Sequence, residues 1–274
     1  MKNVKTKLKR FYQSHIFFIL FSLIGSVLFL LIVISIMNMF MKHFVFNIEN
    51  FFQVISDEYV IRTIFLTFYA SLLSTLIAIG FGIPLAYIIA KYDFYGKSII
   101  ESIINLPLMI PHSVAGLLIY SIFMRSGLIG AEFYRIGIVF EDHLWGIVVA
   151  LLFVSMPIFI NNAIDGFKSV DPHLERVAYS LGAKNRHVFF KIMLPLSKRS
   201  LFSGAVMCWA RGISEFGAVI LIAYYPMIAP VLVYYRFNTQ GLSGSAPIAL
   251  FLIIICFFIF LSLYLLTKKP RERK

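Results

Sequence analysis

The chain has 274 residues, of which 60% are hydrophobic (with 29 Phe) and only 14% charged. With a mean hydropathy of +0.87, this composition excludes a soluble globular protein. The formal net charge of +12 has no basic soluble domain to carry it, so a nucleic-acid-binding reading is excluded as well.

Uncharged runs of about 20 residues read as membrane-spanning helices, because ~30 Å of hydrocarbon requires that many at ~1.5 Å per residue. Six such runs occur, at 15–41, 63–90, 102–124, 144–164, 201–225 and 246–266, the fifth alone carrying charges, Arg211 and Glu215. The alternating pattern of a β-barrel is missing. The first run follows a basic segment, 1–14, but it is too long for a signal peptide and lacks a small-residue cleavage site; it reads as a retained helix. The second is too long to stand upright and implies tilt. In it, Gly80, Gly82 and Pro84 are open to either a bending or a packing role. Pro107 and Pro111 in the third are expected to kink it and to free carbonyls at membrane depth. Bending for alternating access and ordinary packing around proline both remain open. His112 is the one histidine well inside a run, and it reads as a helix–helix hydrogen-bonding residue rather than a proton relay. Cys208 and Cys256 lie in predicted spans, without CxxC or ligand-spaced histidines, so neither a disulfide nor a metal site is expected.

Basic residues set the orientation. Five lie in each terminal segment, Lys91 and Lys97 follow the second run, and seven occupy the segment after the fourth. The opposite side holds only Lys42, Arg62, Arg125, Arg135 and Arg236. The positive-inside rule then places both termini and the 165–200 segment in the cytoplasm.

That segment carries its own helix signals. Asp171 suits an N-cap and Pro172 the first helical position. Leu174, Val177, Ala178 and Leu181 fall on one stripe, and Gly182 supplies the stop. A second helical segment follows, with Val188, Phe189, Ile192 and Met193 on one side, closed by Leu194 and Pro195. The residues alone leave two roles open: an interfacial helix on the headgroups, or a docking element for a soluble partner.

At these residues the sequence LGAKNRHVFFKIMLP resembles the signature of the permease subunits of ATP-binding-cassette importers. That pattern runs E-A-A, three residues, Gly, nine residues, I-x-L-P. Gly182, residues 183–191, and Ile192-Met193-Leu194-Pro195 fit it in register. The E-A-A positions hold Arg176, Val177 and Ala178, with Glu175 one residue early, so an ion pair made by the family Glu has no carboxylate at 176. NLPLMIPHSVAG (105–116), RGISEFGAVILIAYYPMIAPVLVYYRF (211–237) and the following TQGLSGSAP resemble the tungstate/molybdate branch; EFGA alone is shared with sulfate permeases.

The resemblance implies an all-α integral membrane protein with six transmembrane helices and a type I importer permease fold. It would comprise an N-terminal helix 15–41, a five-helix permease domain 60–267 with a cytoplasmic coupling loop 165–200, and basic tails at 1–14 and 268–274. It further implies a homodimer in the lipid bilayer, two cytoplasmic ATP-binding subunits and an extracytoplasmic oxyanion-binding protein. Coupling to the ATPase would fall to Asp171, Leu174, Glu175, Val177, Ala178, Leu181, Gly182, Ile192, Leu194 and Pro195. This chain needs no cofactor of its own; ATP and magnesium belong to the partner ATPase. Gly96-Lys97-Ser98 ends like a phosphate-binding loop, but Lys91 stands where its first glycine is required.

Two charges remain. Arg211 lies about ten residues into the fifth run, ~15 Å of rise, near the midplane, and Glu215 four residues on shares its face. They either pin the bundle by neutralising one another or border the passage of an oxyanion together with Pro107 and Pro111. Ser214 is expected to lie off their face. Arg211→Ala is expected to impair flux more than assembly. The leading expectation is an ATP-driven importer of tungstate or molybdate, with a permease for sulfate or another oxyanion as alternative. A proton-coupled carrier using Glu215 is the reading from another class. Against it stand the missing inverted repeat and the neighbouring arginine.

Overall fold

The structure, a computed structural model, describes residues 2–45 and 47–267; the basic segment 268–274 lies outside them. Among the described residues every regular element is helical and no strand forms. The chain divides into two units, one of residues 1–57 and 242–274, the other of residues 58–241.

In the first unit, α1 (Lys2–Phe40) runs into a π-helical turn, Met41–Val45. From Phe17 to Phe40 it is apolar and none of it is buried, the all-round apolar pattern of a membrane-spanning helix. Then comes α2 (Ile48–Ile55), whose Phe51 is buried and meets Phe44 and Phe251 edge-on, with ring centroids 5.1 and 6.5 Å away.

The second unit is built on three helices. The first, α3 (Glu58–Lys91), has 34 residues, about 51 Å of rise against ~30 Å of hydrocarbon. Apart from Val60, Ile64 and Ile89, its buried face is a stripe of small residues: Thr63, Thr67, Ala70, Ser71, Ser74, Thr75, Ala78, Gly82 and Ala86. Such a stripe lets helix backbones approach closely where lipid offers no hydrophobic drive. The hydroxyls cost little here, because Thr67 and Ser71 donate to the carbonyls four residues back, each at 2.7 Å.

After Gly96, α4 (Lys97–Met109) and α5 (His112–Phe123) follow. They form a pair bent by 114°, not the kinked single helix expected over 102–124. The bend is set by Pro111, which holds Ile110 extended (φ −79°, ψ 149°). Pro107 is buried inside α4 and does not break it.

A short α6 (Gly130–Arg135) leads to α7 (Leu144–Lys168), the most buried helix of the unit. Asn161 of α7 donates to Asn105 of α4 at 2.6 Å. Next come α8 (Pro172–Ser180), α9 (Asn185–Val188), a π-helical stretch Phe189–Met193 and α10 (Leu194–Ile213). Close contact of α10 with α7 rests on Gly166 and Gly204; a β-carbon on either would lie 2.7 Å from Ser200 or Asn162.

The fifth expected span, 201–225, is not continuous. Helix α10 stops at Ile213, residues 214–218 are not helical, and α11 (Val219–Ile222) is a single turn. Thr67 of α3 receives the backbone N–H of Ala229 at 2.7 Å, which fixes the start of α12 (Ala229–Thr267). Within α12, Gly241 has φ +70° and ψ −158°, a conformation that only glycine adopts cheaply. Among the described residues, four helices are long and apolar enough to cross a membrane, or five if α4 and α5 count as one span.

Candidate functional site

Two arrangements carry chemistry in the second unit. The first is α8 with the segment behind it. The Asp171 carboxylate accepts the backbone N–H of His173 at 2.8 Å, Pro172 opens the helix, and Gly182 closes it with φ +80°. Gly182 N–H donates to Tyr179 and Ala183 N–H to Ala178, the paired bonds of a Schellman stop. The nine-residue helix is therefore specified locally at both ends.

No residue of α8 is buried. Leu174 and Val177 are exposed, and Leu181, its C-cap, is 81% exposed. Ala178 turns the other way and packs against the core, so the expected four-residue stripe divides into three outward side chains and one inward. Behind it, Val188 and Met193 are fully buried among Ile89, Phe159 and Phe167. Tyr87 of α3 meets Phe189 at 4.8 Å and Phe167 at 5.5 Å, edge-on in both cases. Leu194 packs on the same cluster, Ile192 is partly covered and Pro195 is exposed.

Glu175 makes an ion pair with Lys91, the last residue of α3. The sequence gives Lys91 only an orienting role, since eighty-four residues separate it from Glu175. Partial desolvation raises the Tyr179 hydroxyl above its ordinary pKa, and the nearby Glu175 charge adds to this. At the other end of the same turn, a hydrogen bond from Lys97 holds the Asp93 carboxyl below the usual range.

The second arrangement joins the two broken helices. Arg211 Nη2 lies 2.8 Å from Glu215 Oε2. The contact anticipated from i, i+4 spacing is made, although Glu215 lies beyond the end of α10. Glu215 is only 2% exposed at its side chain. Its other oxygen, Oε1, accepts the backbone N–H of Ala218 at 2.8 Å. Ser214 joins the pair, contrary to the sequence expectation. As C-cap of α10 its hydroxyl donates to the Arg211 carbonyl at 3.0 Å and stands 3.4 Å from Nη1.

His112, the first residue of α5, completes the cluster. Its Nδ1 lies 3.5 Å from Glu215 Oε2, and Arg211 Nη2 stands 3.3 and 3.1 Å from Nδ1 and Nε2. Pro111 places it there by opening α5 at this point, whereas Pro107 takes no part in the cluster. The apposition is close: a β-carbon on Gly217 would lie 2.8 Å from His112 Cβ, and one on Gly116 2.8 Å from the Ala218 carbonyl. The cluster can hold a charge pair at the junction of two helix breaks while leaving part of the arginine and half of the histidine accessible.

Residues 82–272 match the family of binding-protein-dependent transport system inner membrane components. The chain is 40% identical over 253 residues to the molybdate/tungstate transport system permease protein of Pyrococcus abyssi, covering 92% of this chain and 96% of that one. It is 31% identical to a probable sulfate transport system permease protein of Chlorokybus atmophyticus, over 77% of this chain and 75% of that one. The fold is similar to that of a bacterial ABC transporter that imports the acidic polysaccharide alginate, with a TM-score of 0.68 at 19% identity over 88% and 89% of the two chains. A helical chain with apolar spans, two interrupted helices and a matched signature thus belongs to the family of binding-protein-dependent transport system inner membrane components.

Proposed function

We propose that the chain is the membrane-spanning permease subunit of an ATP-driven importer of molybdate and tungstate. The observation that carries this is the 40% identity to a molybdate/tungstate permease along nearly the whole of both chains, against 31% over three quarters of a sulfate permease. On this reading six crossings are made by α1, α3, the α4–α5 pair, α7, α10–α11 and α12. Both termini and α8 face the cytoplasm, in keeping with the basic residues of those segments. Two copies form the passage, two ATP-binding subunits supply the work, and an extracytoplasmic protein delivers the anion. ATP and magnesium sit on the ATPase subunits.

Helix α8 is the coupling element. Its outward Leu174, Val177 and Leu181 fit a groove on another protein, and the Lys91–Glu175 pair and the buried Val188–Met193 segment link it to α3 and α7. Closure of the ATPase dimer moves α8, and the movement passes to those helices. Arg211 and Glu215 border the passage as a compensated pair, polar enough to admit a dianion and weak enough to release it. A proton-coupled role for Glu215 is not favoured: both oxygens already accept hydrogen bonds, and the side chain has almost no solvent access.

The test is reconstitution of this chain with its ATPase subunits and binding protein in proteoliposomes. ATP-dependent accumulation of labelled molybdate and tungstate, resistant to excess sulfate and to an uncoupler, is expected. Accumulation driven by a proton gradient without ATP would overturn the proposal.

A further inference from the structure

We propose that His112 and Arg211 together form the contact through which a tetrahedral oxyanion passes the junction of the two broken helices, with Glu215 as their buried counter-charge. This rests on the oxyanion-permease reading above and adds the residue that makes the contact directional.

Three observations lead to it. The cluster is polarised, because Glu215 is 2% exposed while Arg211 is 22% and His112 49% exposed at their side chains. Its accessible side is therefore the one that carries the guanidinium and the imidazole. Its donors are also incompletely used. Arg211 spends Nη2 on Glu215, and its Nη1 reaches Ser214 only at 3.4 Å, at the long limit for such a bond. Nε takes part in none of the cluster's bonds.

The third observation is the placement of the imidazole. Nη2 is nearly equidistant from the two ring nitrogens, 3.3 and 3.1 Å. An in-plane approach midway between them would run into Cε1, so Nη2 lies over the ring face. This placement leaves the ring edge at Nε2 without an in-plane partner among the cluster's residues. Neutral imidazole has one N–H to donate and imidazolium two. An oxyanion lying against the exposed side meets the unused guanidinium donors and the imidazole edge together. The buried carboxylate keeps the attraction weak enough for the ion to move on.

The experiment uses the complete importer in proteoliposomes and reads molybdate accumulated per ATP hydrolysed. His112→Phe keeps an aromatic ring at the position but removes the N–H donor. Its ratio is expected to fall about tenfold, the worth of a hydrogen bond to a charged group, and His112→Gln to recover most of the loss. An unchanged ratio in His112→Phe overturns the inference. So does a parallel loss of uptake and ATPase activity at constant ratio, which would give the ring a packing role. Wild-type complexes that carry neither molybdate nor tungstate would instead strike the underlying substrate reading.

Discussion

Glu175 of α8 is ion-paired with Lys91 at the end of α3, and the two side chains are only 12% and 17% exposed. The signature position that holds a glutamate in the family has Arg176 here, and the carboxylate one residue earlier is engaged within the chain. It ties the proposed coupling element to the longest helix of the unit by a charge contact between segments distant in sequence.

A partly buried pair should be worth about 1–3 kcal/mol, between the small value of exposed pairs and the larger cost of breaking a buried one. Lys91→Glu sets two carboxylates against each other and is expected to reduce anion carried per ATP hydrolysed by roughly tenfold. The exchange Lys91→Glu with Glu175→Lys should restore most of it. A double-mutant cycle in the reconstituted importer measures the coupling; additive losses would show that the pair does not transmit the movement.

Leu181 projects almost fully from the chain, so replacing it removes no internal packing. Leu181→Asp is expected to leave the thermal stability of the isolated permease unchanged. Affinity for the ATPase subunits should fall about 30-fold or more, as for an apolar anchor worth at least ~2 kcal/mol at an interface. Leu174→Asp should behave alike, and Ala178→Asp should instead destabilise the permease, because Ala178 packs inward. Co-purification and detergent melting curves read both effects. Retention of the ATPase by Leu181→Asp would remove the docking role.

How much of this was legible in the sequence varies with the range of the interaction. Helix α8 could be read almost residue by residue, since Asp171, Pro172 and Gly182 act within one or two turns. The break at Ile213 could not, because 201–225 reads as one run interrupted only by Arg211 and Glu215 at helical spacing, and hydropathy does not register where a backbone hydrogen-bond ladder stops. Pro111 signalled an interruption but not a 114° turn, whose size depends on what α5 packs against. The Arg211–Glu215 contact was anticipated from helical spacing and is made by a chain that has left the helix. His112 and Lys91 find their partners 99 and 84 residues away, a separation that no local pattern reports.

Glu215 decides what removal of Arg211 does. The sequence alone points to a loss of flux rather than assembly, but Arg211→Ala would strand a carboxylate that is 2% exposed. Breaking a buried pair from one side costs about 3–5 kcal/mol, so the variant is expected to melt well below the wild type. Arg211→Ala combined with Glu215→Ala should be less damaging than the sum of the two changes. Thermal unfolding of the purified complexes checks this; a wild-type melting point for Arg211→Ala would mean that water or another cation already compensates Glu215.

Glycine makes the junction of the two breaks possible, and its removal separates packing from charge. A β-carbon on Gly116 would lie 2.8 Å from the Ala218 carbonyl oxygen and 3.0 Å from its Cα, both backbone atoms. Neither can swing aside, so α5 must shift relative to residues 214–218, carrying His112 with it. Overpacking of this kind costs about 1–3 kcal/mol. Gly116→Ala is therefore expected to lower both the melting temperature and molybdate uptake while every charged group is retained. Gly80→Ala in α3 is the matched control, because nothing lies within 4 Å of its added carbon and alanine is the better helix former by roughly 0.5–1 kcal/mol. Equal behaviour of the two variants would show that the close approach of α5 to the 214–218 segment is not required for transport.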